Sequence, residues 1–331
     1  MERPVDPVVM ERLLFEIKKV IVGQDRLLER IVVALLARGH LLVEGVPGLA
    51  KTLSVKTVAA AIHGEFKRVQ FTPDLVPADL VGTRVYNQRT GEFQTSLGPV
   101  FTNLLLGDEI NRAPAKVQSA LLEVMQERQV TIGRETHQVP EPFLVMATQN
   151  PIETEGTYAL PEAQVDRFMM KVIVDYPSEM DEFVIVERMT GRIGAIVPVM
   201  STSELVALQR TVDAVYVDPA LVEFVVRVVN ATRQPKDYDV AEIAKYIQFG
   251  ASPRASINLI LTARALAYLR GRTHVRPQDI LDLTHDVLRH RIVLTYEALS
   301  DGVTTDSLVT KVIERIPIPK EPLHEHVATN A

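Results

Sequence analysis

The sequence contains no cysteine, which excludes disulfide bonds, thiolate zinc sites and cysteine nucleophiles. It also lacks a long apolar run. Residues 31–37 form about the longest one, and Arg38 ends it well short of the roughly 18 residues that a membrane-spanning helix needs. The first residues, Met1-Glu2-Arg3-Pro4, contain no apolar signal core. We therefore expect a cytoplasmic protein without a membrane span.

A strong charge of one sign is also missing. The chain carries 36 basic and 42 acidic residues, a net charge of -6, and its pI is near 5.8. This balance argues against nucleic-acid binding over the whole surface, but it is compatible with a local basic patch that binds nucleic acid. The sequence has no GxSxG motif, no basic run interleaved with aromatic residues, and only scattered histidines. A serine hydrolase of that motif, a single-strand binder and a histidine metal site are therefore not expected.

The remaining composition is that of a globular protein with a large core. Hydrophobic residues make up 47% of the 331 residues and charged residues 24%. The apolar fraction is too high, and the net charge too small, for intrinsic disorder over most of the chain. The length predicts two domains, or one large domain with an appendage.

Short apolar stretches alternate with helical periodicity in the first half of the chain. The predicted strands are 41–43, 67–71, 103–108, 143–149 and 169–174, and the predicted helices include 24–38, 51–62 and 114–126. Strand–helix alternation with continuously apolar strands is typical of a mostly parallel sheet covered on both faces. Two further stretches, 85–95 and 129–139, predict hairpins inserted into this framework.

The pattern changes after Tyr176-Pro177, where strand signals fade and helices dominate. The predicted helices are 179–189, 203–214, 219–232, 256–270 and 277–291. We therefore predict an α/β domain at 1–176, a helical domain at 177–318 and a loosely held polar tail at 319–331.

A phosphate-binding loop is predicted between the first strand and the helix that follows it. The sequence there is Gly45-Val46-Pro47-Gly48-Leu49-Ala50-Lys51-Thr52. In this context backbone N–H groups and the helix N-terminus face an anion, a lysine reaches the terminal phosphates and a hydroxyl binds Mg²⁺. Ala50 stands where glycine is usual, and we expect a right-handed backbone there, with Cβ turned away from the phosphates. The alternative is an ordinary Gly/Pro turn before a helix.

Other polar residues follow the ends of predicted strands. Asp108-Glu109 ends the strand at 103–108, where an aspartate can hold Mg²⁺ and a glutamate can polarise water. These acids could instead simply end a strand, but a phosphate loop on an earlier strand argues against that. Asn150 could reach the γ-phosphate or serve as a turn residue before proline. Arg167 and Arg254 could each contact phosphate or be ordinary surface charges.

These stretches together resemble a known family. The ordered set GVPGLAKT, LLLGDEINRAP, ATQNP, LPEAQVDRF and SPRA is similar to the AAA+ ATPases, and most closely to the MoxR family. The resemblance covers about residues 20–291, and the DEINRAP stretch and the run 148–168 are far more specific than the phosphate loop. It implies an αβα core with a mostly parallel five-stranded sheet and hairpin insertions, followed by an all-helical lid domain. It also implies a homo-oligomeric ring, commonly a hexamer, with ATP and Mg²⁺ as cofactors.

The resemblance also implies roles for individual residues. ATP would be bound by Val22 and Gly23 in the adenine-pocket segment 21–24, and by Gly45, Val46, Pro47, Gly48, Leu49, Ala50, Lys51, Thr52 and Leu53. The metal ligands would be Thr52 and Asp108, and the catalytic set Glu109, Asn150, Arg167 and Arg254. Here Asn150 takes the sensor 1 position, Arg167 the arginine finger and Arg254 sensor 2. The segment 178–214 resembles an insertion that displaces the lid, so Arg254 could serve its own or a neighbouring site.

The resemblance predicts an ATP-hydrolysing ring motor with chaperone-like activity on partner proteins. The usual partners of this family carry von Willebrand factor A domains. One alternative on the same fold is a metal-chelatase motor subunit. A second is a nucleic-acid motor related to replicative helicases, which the acidic balance argues against. A third is a nucleotide-binding scaffold without turnover, which the acid at Glu109 argues against.

Overall fold

The computed structural model describes residues 7–151, 156–191 and 195–320. Most of the tail predicted at 319–331 lies outside these residues. The elements of the first part are α1 (Pro7–Lys18), α2 (Asp25–Leu36), β1 (Leu41–Glu44), α3 (Lys51–Ala61), β2 (Phe66–Gln70), α4 (Pro77–Val81), β3 (Gly82–Asn87), β4 (Glu92–Leu97), β5 (Leu104–Asp108), α5 (Ala115–Glu127), β6 (Gln129–Ile132), β7 (Glu135–Gln138), β8 (Leu144–Gln149), α6 (Glu162–Val165) and β9 (Met170–Ile173).

The five predicted strands form one sheet in the order β2-β5-β8-β1-β9. The pairs β2/β5, β5/β8 and β1/β8 are parallel, which confirms the predicted mostly parallel five-stranded sheet. β1, β5 and β8 are buried along almost their whole length, as expected when helices cover both faces of a sheet. Parallel strands end at one edge, so β1, β5 and β8 bring the residues that follow them together there.

Both predicted hairpins are present as separate antiparallel ribbons. β3 pairs with β4 and β6 with β7. On the first ribbon the Tyr86 and Phe93 rings lie 5.2 Å apart, and both side chains are exposed. The hairpins therefore form sheets of their own instead of extending the central sheet, in agreement with the predicted insertions.

The elements that follow β9 are mainly helical. They are α7 (Glu179–Thr190), α8 (Thr202–Asp213), α9 (Pro219–Arg233), β10 (Ile247–Phe249), α10 (Pro253–Leu269), α11 (Pro277–Leu288), β11 (Val293–Leu294), α12 (Tyr296–Ser300) and α13 (Thr305–Arg315). The helix entry expected at Asp218 is confirmed, because its carboxylate accepts a hydrogen bond from the Ala220 N–H at 2.8 Å. The pattern gave no prediction for α13 or for the β10–β11 pair. No helix among the described residues is both long and apolar enough to span a membrane.

The described residues form two compact units. One contains residues 8–151, 156–168, 172–191 and 195–209, and the other contains Pro7, 169–171 and 210–320. The helical segment 177–209, assigned from sequence to the second domain, thus groups with the sheet. Its hydrogen bonds give the physical reason: Arg188 donates to the Lys18 carbonyl at 2.9 Å, and Gln209 donates to the Leu35 carbonyl at 2.7 Å. The domain boundary at 176 stays a prediction.

Candidate active site

The phosphate loop lies between β1 and α3, as predicted. Gly48 has φ +88°, a conformation that favours glycine, and a Cβ added to it would meet no heavy atom within 4 Å. The backbone can therefore approach a ligand closely at this point. The first turn of α3 follows at once, and the first N–H groups of a helix have no intrahelical acceptors. The loop and the helix thus provide N–H donors for an anion.

The expectation for Ala50 is wrong. Its backbone is left-handed, with φ 54° and ψ 19°, where a right-handed conformation was predicted. The reason is local: Ala50 precedes α3 as its N-cap, and its carbonyl accepts hydrogen bonds from the Ser54 N–H at 2.9 Å and the Ser54 hydroxyl at 3.0 Å. A left-handed conformation costs an alanine on the order of 1–2 kcal/mol. The loop geometry therefore prevails over the intrinsic preference of the residue.

Lys51 reaches back across the loop. Its Nζ donates to the Gly45 carbonyl at 2.6 Å. Partial burial lowers the pKa of Lys51, while the carboxylates of Asp108 and Glu109 act in the opposite direction. The ammonium group is therefore held inside the cleft, close to two acids.

The two acids at the end of β5 are positioned by the neighbouring strands. The Thr148 hydroxyl on β8 donates to Asp108 Oδ1 at 2.6 Å and accepts from the Glu109 N–H at 2.9 Å. Arg68 on β2 donates to Asp108 Oδ2 through Nη2 at 2.6 Å and Nε at 3.2 Å. Thr148 is buried, so its one hydroxyl fixes both acids from within the sheet.

Glu109 has a left-handed backbone, with φ 56° and ψ 52°. Strained backbones of this kind in non-glycine residues cluster at functional sites. Its Oε2 accepts from Gln70 Nε2 at 2.8 Å and lies 3.1 Å from Arg112 Nε. The carboxylate is therefore held by an amide on β2 and a guanidinium three residues further along the chain.

These groups line one cleft of about 450 Å³. It brings the loop residues 47–53 together with Arg68, Gln70, Asp108, Glu109, Thr148 and Asn150. The loop, both acids and Asn150 are predicted site residues, whereas Arg68, Gln70 and Thr148 are not. These three lie on strands β2 and β8, and their part in the site depends on which strands are neighbours. In the sequence, only their position near the ends of predicted strands suggests that these three residues could belong to the site.

The donor set of this cleft fits Mg²⁺. Thr52 offers a hydroxyl and Asp108 a carboxylate, both hard oxygen ligands of the kind that Mg²⁺ prefers. Within the described ranges, no group of three or more His, Asp or Glu side chains could hold a metal by itself. The residues present therefore suit a Mg²⁺ ion that is shared with substrate phosphates.

A second, more apolar pocket of about 270 Å³ adjoins the other side of the loop. It is lined by Val20, Ile21, Val22 and Gln24, by loop residues 47–50 and Leu53, and by Tyr176, Pro177, Glu182, Ile185, Arg188 and Met189. The segment 21–24 was predicted for an adenine pocket, whereas the wall from 176–189 was not foreseen. A mainly apolar space beside a phosphate cleft suits a nucleotide base.

Gly23 is required beside this pocket by its conformation and by its neighbours. Its φ is +71°, and an added Cβ would lie 2.9 Å from Asp181 Cβ and 3.1 Å from Pro177 Cβ. Val22 lines the pocket, while Gly23 allows the chain to turn tightly against the segment that contains α7.

The two predicted arginines lie outside the cleft lining. Arg167 follows α6 and is partly buried. Arg254 is the second residue of α10, with an exposed side chain, in the compact unit that contains 210–320. Their assigned roles stay predictions.

Comparisons with known proteins agree with this geometry. Residues 40–170 match the ATPase family associated with various cellular activities (AAA), and residues 241–312 match the AAA lid domain. Over 94% of its length the chain is 54% identical to Chaperone MoxR1 of Mycobacterium tuberculosis, of which it covers 82%. It is 31% identical to Protein MoxR of Methylorubrum extorquens, covering 92% of this chain and 93% of that protein.

A solved structure shows the same fold. A putative ATPase from Cytophaga hutchinsonii superimposes with a TM-score of 0.90 at 45% identity, covering 95% of this chain and 96% of that one. The fold, the phosphate cleft and the sequence relatives lead to one conclusion. The chain belongs to the MoxR family of AAA+ ATPases.

Proposed function

We propose that this ATPase uses Mg²⁺ and ATP to remodel partner proteins as a ring of identical subunits. The supporting observation is the convergence, in one cleft, of Lys51, Thr52, Asp108 and Glu109, together with similarity to a relative named a chaperone. A cytoplasmic location is part of the same proposal.

Phosphate binding would rest on the loop and α3. The loop N–H groups and the Lys51 ammonium offset the negative charge of the β- and γ-phosphates. Thr52 and Asp108 would hold Mg²⁺, which neutralises charge on the transferred phosphoryl group when bound. The base would occupy the pocket between Val22 and the segment 176–189.

Glu109 is the residue that we assign to water activation. Gln70 and Arg112 hold its carboxylate in one orientation, and Thr148 fixes its backbone N–H. A carboxylate held in this way can accept a hydrogen bond from the attacking water and polarise it. Asn150, buried at the end of β8 and facing the same cleft, would orient that water or the γ-phosphate.

The two arginines provide the link to neighbouring subunits. Arg167 would enter the site of the next subunit and neutralise charge in the transition state, as arginine fingers do. Arg254 would contact phosphates either in its own subunit or in the next one. A ring would allow each subunit to lend its arginine to the next, and the family resemblance suggests six subunits.

For the client, we favour a protein with a von Willebrand factor A domain. A metal-chelatase motor subunit and a nucleic-acid motor related to replicative helicases are the alternatives. The net charge of -6 favours the protein client over nucleic acid.

A trapped complex tests the proposal. Glu109→Gln keeps the size and hydrogen-bonding capacity of the side chain but polarises water poorly, so it should bind ATP and hold a client. Proteins and nucleic acids that co-purify with it in ATP are then identified. Lys51→Ala, which should not bind ATP, is the matched control. Capture of the same molecules by both variants, or of nucleic acid alone by Glu109→Gln, would contradict the protein-client proposal.

A further inference from the structure

A buried amide in α5 connects two segments that the proposed mechanism treats separately. Gln118 is fully buried, and its Nε2 lies 3.0 Å from the Ala113 carbonyl, 3.3 Å from the Ile110 carbonyl and 3.3 Å from the Tyr158 carbonyl. We call this group of one amide and three carbonyls the amide node. Two of its carbonyls belong to the segment directly after Glu109, and the third belongs to the segment that leads to Arg167.

The two segments also contact each other directly at this place. The Tyr158 N–H donates to the Asn111 carbonyl at 2.6 Å. Further along, Gln164 Nε2 donates to the Ser119 hydroxyl at 3.1 Å, one residue after Gln118. Gln118 and Ser119 of α5 therefore both form hydrogen bonds with the chain before Arg167. Gln118 also forms hydrogen bonds with the chain after Glu109.

The orientation of the Gln118 amide is fixed by its surroundings. Reversing it would place Oε1 against three carbonyl oxygens, so the nitrogen must face them. Oε1 itself finds no hydrogen-bond donor among the described residues. A buried amide whose two N–H groups face three carbonyl oxygens while its own oxygen is unpaired serves this fold as a donor.

We propose that Gln118 is a positioning residue that sets Glu109 and Arg167 of one subunit in a fixed relation to each other. The acid that activates water in a subunit and the arginine that this subunit lends to its neighbour would then be aligned through one buried amide. This inference rests on the proposed roles of Glu109 and Arg167. It goes beyond them by assigning a joint positioning role to a residue outside the cleft.

The test compares two buried glutamines. Gln118→Met retains the length of the side chain but removes the N–H donors. Gln209→Met is the matched control, because Gln209 is also buried and donates to one carbonyl, that of Leu35, away from the cleft. Both variants should bind ATP as the parent does. We expect turnover of Gln118→Met to fall on the order of 10²-fold, the loss typical of a misplacement of about 1 Å, and turnover of Gln209→Met to stay unchanged.

Subunit mixing tests whether the acid and the lent arginine of Gln118→Met are both misplaced. The reference mixture joins Lys51→Ala, which lends Arg167, with Arg167→Ala, which retains Glu109. Gln118→Met is then mixed with each of them in turn. The inference predicts weak activity in both mixtures, because Gln118→Met has a misplaced acid and also lends a misplaced arginine. Recovery to the reference level in either mixture would overturn it.

A spin label gives a readout that does not depend on hydrolysis. The chain has no cysteine, so Glu162→Cys on α6 provides a single labelling site on the segment that leads to Arg167. Gln118→Met should make this label more mobile, and Gln209→Met should not. Equal mobility in the two variants would overturn the inference. If the reference mixture itself fails to recover, the trans role of Arg167 is wrong, while the label and the turnover of Gln118→Met still decide what Gln118 does.

Discussion

Thr148→Val should separate ATP binding from ATP hydrolysis. The substitution keeps the shape of the buried side chain and removes one hydroxyl. That hydroxyl donates to Asp108 Oδ1 at 2.6 Å and accepts from the Glu109 N–H at 2.9 Å. Valine can make neither hydrogen bond, so both acids lose their shared support while the phosphate loop is untouched.

The size of the effect can be worked out from these two contacts. A hydrogen bond to a charged group contributes about 1.5–3 kcal/mol to stability, and a neutral one about 1 kcal/mol. The Asp108 side chain is 18% exposed, so water can replace part of the lost donor. We therefore expect the free energy of unfolding to fall by about 2–3 kcal/mol. Turnover should fall on the order of 10²-fold if Glu109 shifts by about 1 Å.

Thr102→Val is the matched control for this experiment. Thr102 is also buried, and its hydroxyl donates to one neutral carbonyl, that of Glu65, at 3.0 Å. It should lose about 1 kcal/mol of stability and retain full turnover. Chemical denaturation gives the stabilities, calorimetric titration the ATP affinity and phosphate release the turnover. Normal turnover in Thr148→Val, with a stability loss no larger than that of Thr102→Val, would refute the reasoning.

Three further predictions concern other parts of the chain. Lys51→Ala should weaken ATP binding in a direct titration and leave the fold intact; unchanged affinity would contradict the assignment of the loop. Arg167→Ala should lower turnover by on the order of 10³–10⁵ with little change in ATP binding, and parent turnover per subunit should rise with protein concentration; a concentration-independent rate would argue for a monomeric enzyme. Burial lowers the pKa of His40 to about 3, so the folded state favours the neutral imidazole. Unfolded histidine has a pKa near 6.5 and binds a proton below it. The contribution of His40 to the free energy of unfolding is therefore complete above about pH 6.5 and is lost as the pH falls towards 3. Denaturation curves should show a smaller loss over that range in His40→Asn, and equal losses would contradict the prediction.

Much of the core could be predicted because its signals are local. Each strand is an apolar run of a few residues, and the loop from Gly45 to Thr52 contains its own glycines, lysine and hydroxyl. Asp108 and Glu109 could be placed at the sheet edge because parallel strands end there. The spacing of residues does not assign roles to Asn150, Arg167 and Arg254, and these roles come from the resemblance to a family.

The parts that were missed depend on contacts between distant segments. Arg68 meets Asp108 only because β2 and β5 are neighbours, and Thr148 meets both acids only because β8 lies on the other side of β5. The wall that α7 gives to the apolar pocket comes from more than 120 residues after the loop. The prediction for Ala50 is wrong for a different reason: alanine by itself prefers a right-handed backbone, whereas the loop before α3 has a left-handed one at this position.

The order of the strands gives the proposed nucleotide a direction. Along the sheet edge, β5 is followed by Glu109, β8 by Asn150 and β1 by the phosphate loop, while the chain after β9 leads to the apolar pocket. Three strand spacings separate β9 from β5, about 14 Å at the usual 4.8 Å between neighbours. A nucleotide bound as proposed would lie across the strands, with its base at the outer end and its terminal phosphate towards β5. Since base and terminal phosphate would then be held by different strands, a change in sheet twist would alter the distance between the groups that hold the two ends of the ligand.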